Sequence, residues 1–212
     1  MDLKEGLQKA GEFSKKLWYL LWKDNSFKGW IFSVVFIFVF IKFIFFPFLS
    51  FATGTQLPLA IVESCSMYHQ GDIISDFNAW FERHNEKYNT YTITKTDFGE
   101  FHFKNGFNKG DILFIVGAKA EKLEVGDIII FDAGQRNPVI HRIINITENS
   151  NGLIFSTLGD NNNGQLASEK LIYESQLVGK ASFRLAPMLG WVKLIFYDKN
   201  NPQSERGFCD ER

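Results

Sequence analysis

Residues 29–51, GWIFSVVFIFVFIKFIFFPFLSF, hold a single charged side chain, Lys42, and nine of the chain's 23 phenylalanines. At about 1.5 Å of rise per residue this run reaches roughly 34 Å as a helix, enough to cross a hydrocarbon layer about 30 Å thick. A helix buried in a soluble core is seldom apolar on every face. A cleaved export signal has a shorter apolar region, about 7–15 residues, nearer the start. The run therefore predicts an uncleaved transmembrane helix over 29–51. Lys42 costs about 2.5–3.5 kcal/mol near a helix centre, which the surrounding Phe, Ile and Val outweigh, and its long stem lets the ammonium snorkel.

The flanks of this run predict its orientation. Lys15, Lys16, Lys23 and Lys28 precede it, and after Lys42 no Lys or Arg occurs until Arg83. An excess of basic residues marks the cytoplasmic side, so residues 1–28 are expected in the cytoplasm and the chain beyond Phe51 on the exported side. Leu17, Trp18, Leu20, Leu21 and Trp22, set among lysines, suit an interfacial helix, and a solvated leader fits equally well.

About 150 residues follow, the size of one compact domain. The runs QLPLAIV, DILFIVG, DIIIFDA, PVIHRIINI, GLIFSTL, QLVGKASFRL and WVKLIFY are apolar, β-branched or aromatic and are separated by Gly, Asn, Asp and Pro, which predicts a mainly β domain over 52–200. One stretch departs from this. Between Ile73 and Tyr88 the residues Ile74, Phe77, Trp80, Phe81 and Tyr88 recur at helical spacing, which predicts an amphipathic helix within an insertion at about 70–107. Two short strand-like runs, YTITKT and EFHF, follow it. Residues 201–212 read as a frayed tail.

Twenty-three basic against 24 acidic residues leave a net charge of −1, which gives no electrostatic basis for binding nucleic acid. Cys65 and Cys209 are too few and too far apart for a disulfide framework or a paired-cysteine zinc site, and no metal or cofactor is expected.

The chemistry centres on Val62-Glu63-Ser64-Cys65-Ser66-Met67, directly after a strand. A serine hydroxyl attacks a carbonyl only when a neighbouring base takes its proton and donors meet the developing oxyanion. Four histidines could serve: His69, His84, His102 and His141. His84 and His102 sit in polar surroundings, whereas His141 lies within the strand pattern PVIHRIINI, where a buried imidazole needs a partner. A hydrogen-bonded core histidine remains the plainer alternative. Thr157–Gly164 contains an Asx-rich turn that by itself is only a turn.

Taken in chain order, Ser64-Cys65-Ser66-Met67, the Gly-Asp strands at Gly110-Asp111 and Gly126-Asp127, Val139-Ile140-His141-Arg142-Ile143, Gly159-Asp160-Asn161-Asn162 and Leu189-Gly190-Trp191-Val192 resemble the type I signal peptidases, in their archaeal and endoplasmic-reticulum branch. The resemblance covers most of residues 30–197 and implies that family's β fold, which self-cleaving repressor proteins share. It implies a serine endopeptidase that removes signal peptides from exported preproteins, with Ser66 as nucleophile, His141 as base and Asp160 orienting the imidazole. The oxyanion donors would be the Ser66 backbone N–H and the Ser64 hydroxyl. The implied partners are preprotein signal peptides with small residues before the cut, the lipid bilayer and export machinery.

Three departures stand beside it. The family's proline three residues after the nucleophile is His69 here, which makes His69 a rival base. A second acid, six residues after the turn aspartate in many relatives, is Leu166, leaving Asp160 as the default orienter and Glu169 as an outsider for that role. The third is the insertion, expected to pack as a surface elaboration, with a membrane-surface or substrate-facing flap built on Phe77, Trp80 and Phe81 as its functional alternative. Cys65 is expected as a small packed residue, on the opposite side of an extended segment from the two serines. A non-catalytic membrane-anchored β module is the alternative function.

Overall fold

The computed structural model describes residues 3–70, 77–150, 152–197 and 206–210. The chain divides into two compact units, Met1–Ala52 and Thr53–Arg212.

In the first unit, α1 (Leu3–Trp22) is followed by α2 (Phe27–Phe40), whose first turn is capped by the Ser26 hydroxyl accepting the Gly29 N–H at 3.1 Å. Gly29 is required at this corner, because a Cβ there would lie 2.6 Å from Asp24 Cγ. The helix then widens through a π turn, Ile41–Phe45, into α3 (Phe46–Thr53). Pro47 explains the widening: it has no N–H to give, and its ring collides with the carbonyl four residues earlier in a regular α-helix. The continuous helix Phe27–Thr53 is long and apolar enough to cross a membrane, and none of its most apolar window is buried by the rest of the chain.

In the second unit seven strands form one antiparallel sheet: β1 (Leu59–Ile61), β2 (Ile112–Val116), β3 (Ile128–Phe131), β4 (Val139–Asn149), β5 (Gly152–Leu158), β6 (Ile172–Tyr173) and β7 (Leu177–Ala186). Their order is β1-β2-β7-β3-β4-β5-β6, which leaves β1 and β6 as edges. The mainly β expectation holds, and the central strand explains the core. Every residue of β3 is buried. Ile128 and Ile130 join Val62, Met67, Phe107 and Leu113 on one side, while Ile129 and Phe131 join Leu123, Ile143 and Phe155 on the other. A strand covered on both faces reads as a continuous apolar run rather than an alternating one, which is what IIIF is.

The insertion is a third core. The helices α4 (Phe77–Asn89) and α5 (Lys95–Glu100) bury Trp80, Phe81, Tyr88 and Phe98 against Ile144 and Leu158 of the sheet. Ile73 and Ile74, expected on the same helix, lie outside the described residues. Trp80 and Phe81 are 1% and 3% exposed, so they belong to this packing and not to a membrane-facing flap.

Two predicted strands are helical instead. YTITKT turns at Tyr91 and Thr92, then starts α5, because the Thr94 hydroxyl and the Asp97 carboxylate cap each other's backbone N–H groups. WVKLIFY forms α6 (Trp191–Tyr197), with Leu194 buried and Val192, Ile195 and Phe196 exposed. A short apolar run does not distinguish the two periods, and here the Trp191 indole N–H, donating to Lys109 O at 3.0 Å, fixes the first turn. In EFHF, Glu100 ends α5 and residues 101–103 form a bend and turn rather than a strand.

Candidate active site

The Ser64–Ser66 segment leaves β1 beside two backbone hydrogen bonds, from Val62 N to Asp111 O (2.9 Å) and from Gly110 N to Val62 O (2.8 Å). It then bends at Ser64–Cys65 and turns at Ser66–Met67, with Tyr68 N donating to Cys65 O at 3.2 Å. Met67 is buried and anchors the turn in the core. The two serine hydroxyls sit together, Ser64 Oγ to Ser66 Oγ 3.1 Å. Both line a groove of about 860 Å³ whose walls also include Ile61, Val139, His141 and Leu166. The groove thus brings Ser64, Ser66 and His141 to one surface, and it runs along β1, which is an edge of the sheet.

His141 lies on β4 and is 4% exposed. Its Nδ1 is hydrogen-bonded to the Glu169 carboxylate, which is fully buried. Glu169 is held from a one-turn 3₁₀ helix, Ala167–Glu169, by the Leu166 N–H donating to Oε2 at 2.6 Å. An imidazole whose Nδ1–H is committed to a carboxylate presents a bare Nε2 as acceptor. That nitrogen faces Gly159 closely: a Cβ there would stand 2.9 Å from His141 Nε2 and 2.6 Å from Asn162 Nδ2.

Asp160 is elsewhere. Its carboxylate accepts from Arg142 Nη2 at 2.6 Å, from Arg142 Nε at 3.0 Å, from the Tyr88 hydroxyl at 2.9 Å and from His69 Nε2 at 3.0 Å. The reason is the pleat of β4. Successive side chains point to opposite faces, so His141 faces the groove while Arg142 faces the insertion, and Asp160 lies on the side of Arg142. The sequence expectation that Asp160 orients His141 therefore meets a different arrangement, in which Glu169 occupies that place.

Burial alone would raise the pKa of Asp160. The Arg142 charge and the hydrogen bonds from His69 and Arg142 more than offset it, holding the carboxyl well below the usual carboxylate range. Burial lowers the pKa of His69 against the opposing pull of Asp160, so this ring is neutral. Its Nε2 carries the proton given to Asp160, its Nδ1 has no partner among the described residues, and its face stacks on Trp80 with centroids 3.5 Å apart. At 1% exposure and hydrogen-bonded to Asp160, His69 does not line the groove that holds Ser64, Ser66 and His141. His84 lies on α4 with Nδ1 on Trp80 O, and His102 bonds Ser182 O.

Asp160 nevertheless contributes to the site through its turn. Asn161 N donates to Ser66 O at 2.7 Å, Asn161 Nδ2 donates to Cys65 O at 3.0 Å, and Asp160 N approaches Met67 Sδ at 3.5 Å. The network around Asp160 thus fixes the turn that holds the Cys65–Ser66 backbone. Arg142 completes it by donating to the carbonyls of Gly126, His102 and Phe103. Sequence reasoning passed over Arg142, although a charged residue inside an apolar strand signals a buried acid opposite it.

Cys65 is not a free packed residue: it forms a disulfide with Cys209, with Cα atoms 5.4 Å apart. Among the described residues no group of three or more His, Cys, Asp or Glu side chains is arranged to hold a metal ion.

No protein-family model matches the chain. Over 101 residues it is 35% identical to the signal peptidase complex catalytic subunit SEC11C of Homo sapiens, covering 43% of this chain and 51% of that relative. Over 96 residues it is 35% identical to the signal peptidase complex catalytic subunit SEC11 of Scheffersomyces stipitis, covering 42% of this chain and 57% of the relative, and 33% identical to that of Lodderomyces elongisporus. The chain spans about half the length of the curated relatives it matches. The resemblance to the endoplasmic-reticulum branch of the type I signal peptidases holds in sequence as well as in the mainly β fold.

Proposed function

We propose that this relative of signal peptidase catalytic subunits is a membrane-anchored serine endopeptidase that removes signal peptides from exported preproteins. The observation that carries the reading is a groove lined by Ser64, Ser66 and a histidine whose Nδ1 is held by a buried carboxylate. A peptide lying along the free edge of β1 would pair with it as an added strand and present its carbonyl to Ser66.

Ser66 Oγ then attacks that carbonyl while His141 Nε2 takes the hydroxyl proton. Glu169 stabilises the imidazolium through Nδ1–H without itself becoming protonated. The developing oxyanion is met by the Ser66 backbone N–H and the Ser64 hydroxyl. Collapse of the tetrahedral intermediate passes the proton from His141 to the leaving amine, which becomes the new N-terminus of the mature protein. Water, deprotonated by His141, releases the signal peptide from Ser66. Asp160 supports this chemistry by fixing the Gly159–Asn161 turn.

Residues 1–28 lie in the cytoplasm and the β domain on the exported side. Basic residues before the span favour this orientation, and a disulfide fits an oxidising compartment. The bilayer and export machinery are its surroundings.

The test is cleavage of a model preprotein by the detergent-solubilised chain, with wild type beside Ser66→Ala and His141→Ala and the new N-terminus sequenced. Cutting after a small-x-small site that both variants lose supports the reading. No cutting by the wild type, even in native membranes, turns it to a non-catalytic module.

A further inference from the structure

The Ser64–Ser66 segment is restrained on its backbone by neighbours and on one side chain by a covalent bond. Upstream, Val62 is held by Gly110 and Asp111, and downstream the Met67 carbonyl accepts from Phe107 N at 3.0 Å. Between these points, Cys65 is joined to Cys209, a residue 144 positions away in a segment that meets the catalytic turn a second time. Asn161 Nδ2 donates both to Cys65 O (3.0 Å) and to Asp210 O (2.9 Å), so one side chain bridges the nucleophile segment and the segment that carries Cys209. On its other side that segment leans on α6, where Phe208 meets Trp191 with ring centroids 5.1 Å apart. Trp191 is in turn fixed to Lys109 O, next to the pair of residues that hold Val62. The Cys209 segment is therefore tied at three points, two of them to the nucleophile bend and its supporting turn, and the third to the element beside them.

We infer that the Cys65–Cys209 disulfide, with Asn161, is a positioning device for the nucleophile, so that signal-peptide cleavage reaches its full rate only with the oxidised bond. The inference rests on the proposed peptidase function. Cys65 stands between the nucleophile and the hydroxyl donor, and the two serine hydroxyls must hold their separation while a carbonyl is placed between base and oxyanion donors. Reacting groups tolerate little misplacement, and about 1 Å can cost roughly 10²-fold in rate. Breaking the bond removes the covalent restraint on the bend that carries both serines and leaves it held by the Asn161 hydrogen bonds and by Met67 in the core. Reduction is a two-electron step: dithiothreitol supplies two electrons and two protons, the S–S bond becomes two thiols, and dithiothreitol closes to its cyclic disulfide.

The experiment uses the full chain in detergent, oxidised and dithiothreitol-reduced, beside Cys209→Ser, at a temperature at which all three remain folded by circular dichroism. With a model preprotein, reduction is expected to lower kcat by roughly 10- to 100-fold, the scale of a small misplacement, with KM changed much less. Reoxidation should restore kcat, and Cys209→Ser should match the reduced enzyme and ignore the reductant. Hydrogen exchange of the amides of residues 64–68 gives a readout without turnover and should quicken on reduction. An undiminished kcat in the reduced wild type overturns the inference, and so does a rise, which would make the Cys209 segment an obstruction. If the oxidised protein cleaves nothing, the peptidase function fails while the exchange still decides the clamp: unchanged exchange at residues 64–68 overturns it.

Discussion

His141 and Glu169 are joined through Nδ1, with the carboxylate fully buried, although 28 residues of chain separate them. The next residue along, Arg142, takes the other candidate acid, Asp160, on the opposite face of the same strand. The two acids consequently face different jobs, one at the groove and one in the packing behind it, and the difference can be measured.

Glu169→Gln keeps the shape and the acceptor for Leu166 N but stabilises the wrong imidazole tautomer. The equivalent change in serine proteases lowers kcat by about 10⁴, and a loss of roughly 10²- to 10⁴-fold is expected here with little change in the urea midpoint. Asp160→Asn leaves Arg142 buried with its charge uncompensated, which typically costs about 3–5 kcal/mol. Paired measurements of kcat and unfolding free energy decide the matter. Reversal of the two phenotypes would return the orienting role to Asp160.

On the proposed mechanism, Ser64→Ala removes one oxyanion donor and leaves Ser66 and His141 in place. Such a loss costs about 2.7–4 kcal/mol of transition-state stabilisation, or roughly 10²- to 10³-fold in kcat. An unaltered rate under single-turnover conditions would exclude Ser64 from the oxyanion site.

Acid should destabilise the β domain in two stages. His69 has a lowered pKa in the folded state, so its contribution is complete above its unfolded value, about 6.5, and is lost as pH falls below it. Asp160 is depressed in the same sense, and its contribution is lost as pH falls below the unfolded value of about 3.9 towards its much lower folded one. Urea midpoints between pH 7.5 and 3 should decline gently below about 6.5 and steeply below about 4. Asp160→Asn should flatten the lower stage. A wild-type curve with no slope below pH 4 would contradict the Arg142–Asp160 assignment.

Trp80 stacks on His69 and is 1% exposed, so the insertion is bound to the segment following Ser66 through a buried ring. Trp80→Ala should cost about 3–5 kcal/mol of stability while leaving vesicle binding of the chain unchanged. A variant with full stability and weaker membrane binding would restore the flap.

Patterns short enough to lie within one element were legible in the sequence. The long apolar helix, the continuous apolar run of β3 and the strand carrying His141 follow from composition and side-chain periodicity, whereas the ordered Ser-x-Ser-Met, Gly-Asp and Gly-Asp-Asn-Asn motifs were legible only through the family resemblance. Where two local forces competed, periodicity failed: reciprocal capping by Thr94 and Asp97 made a helix of YTITKT, and one buried leucine with a fixed indole made a helix of WVKLIFY. Pairings across long stretches of chain were decided only by the tertiary structure. Composition does not say which carboxylate meets His141, because both acids lie beyond the next strand and the pleat of β4 sorts them by face. Nor does it join Cys65 to Cys209, since proximity over 144 residues is a property of how the whole chain folds and not of either cysteine.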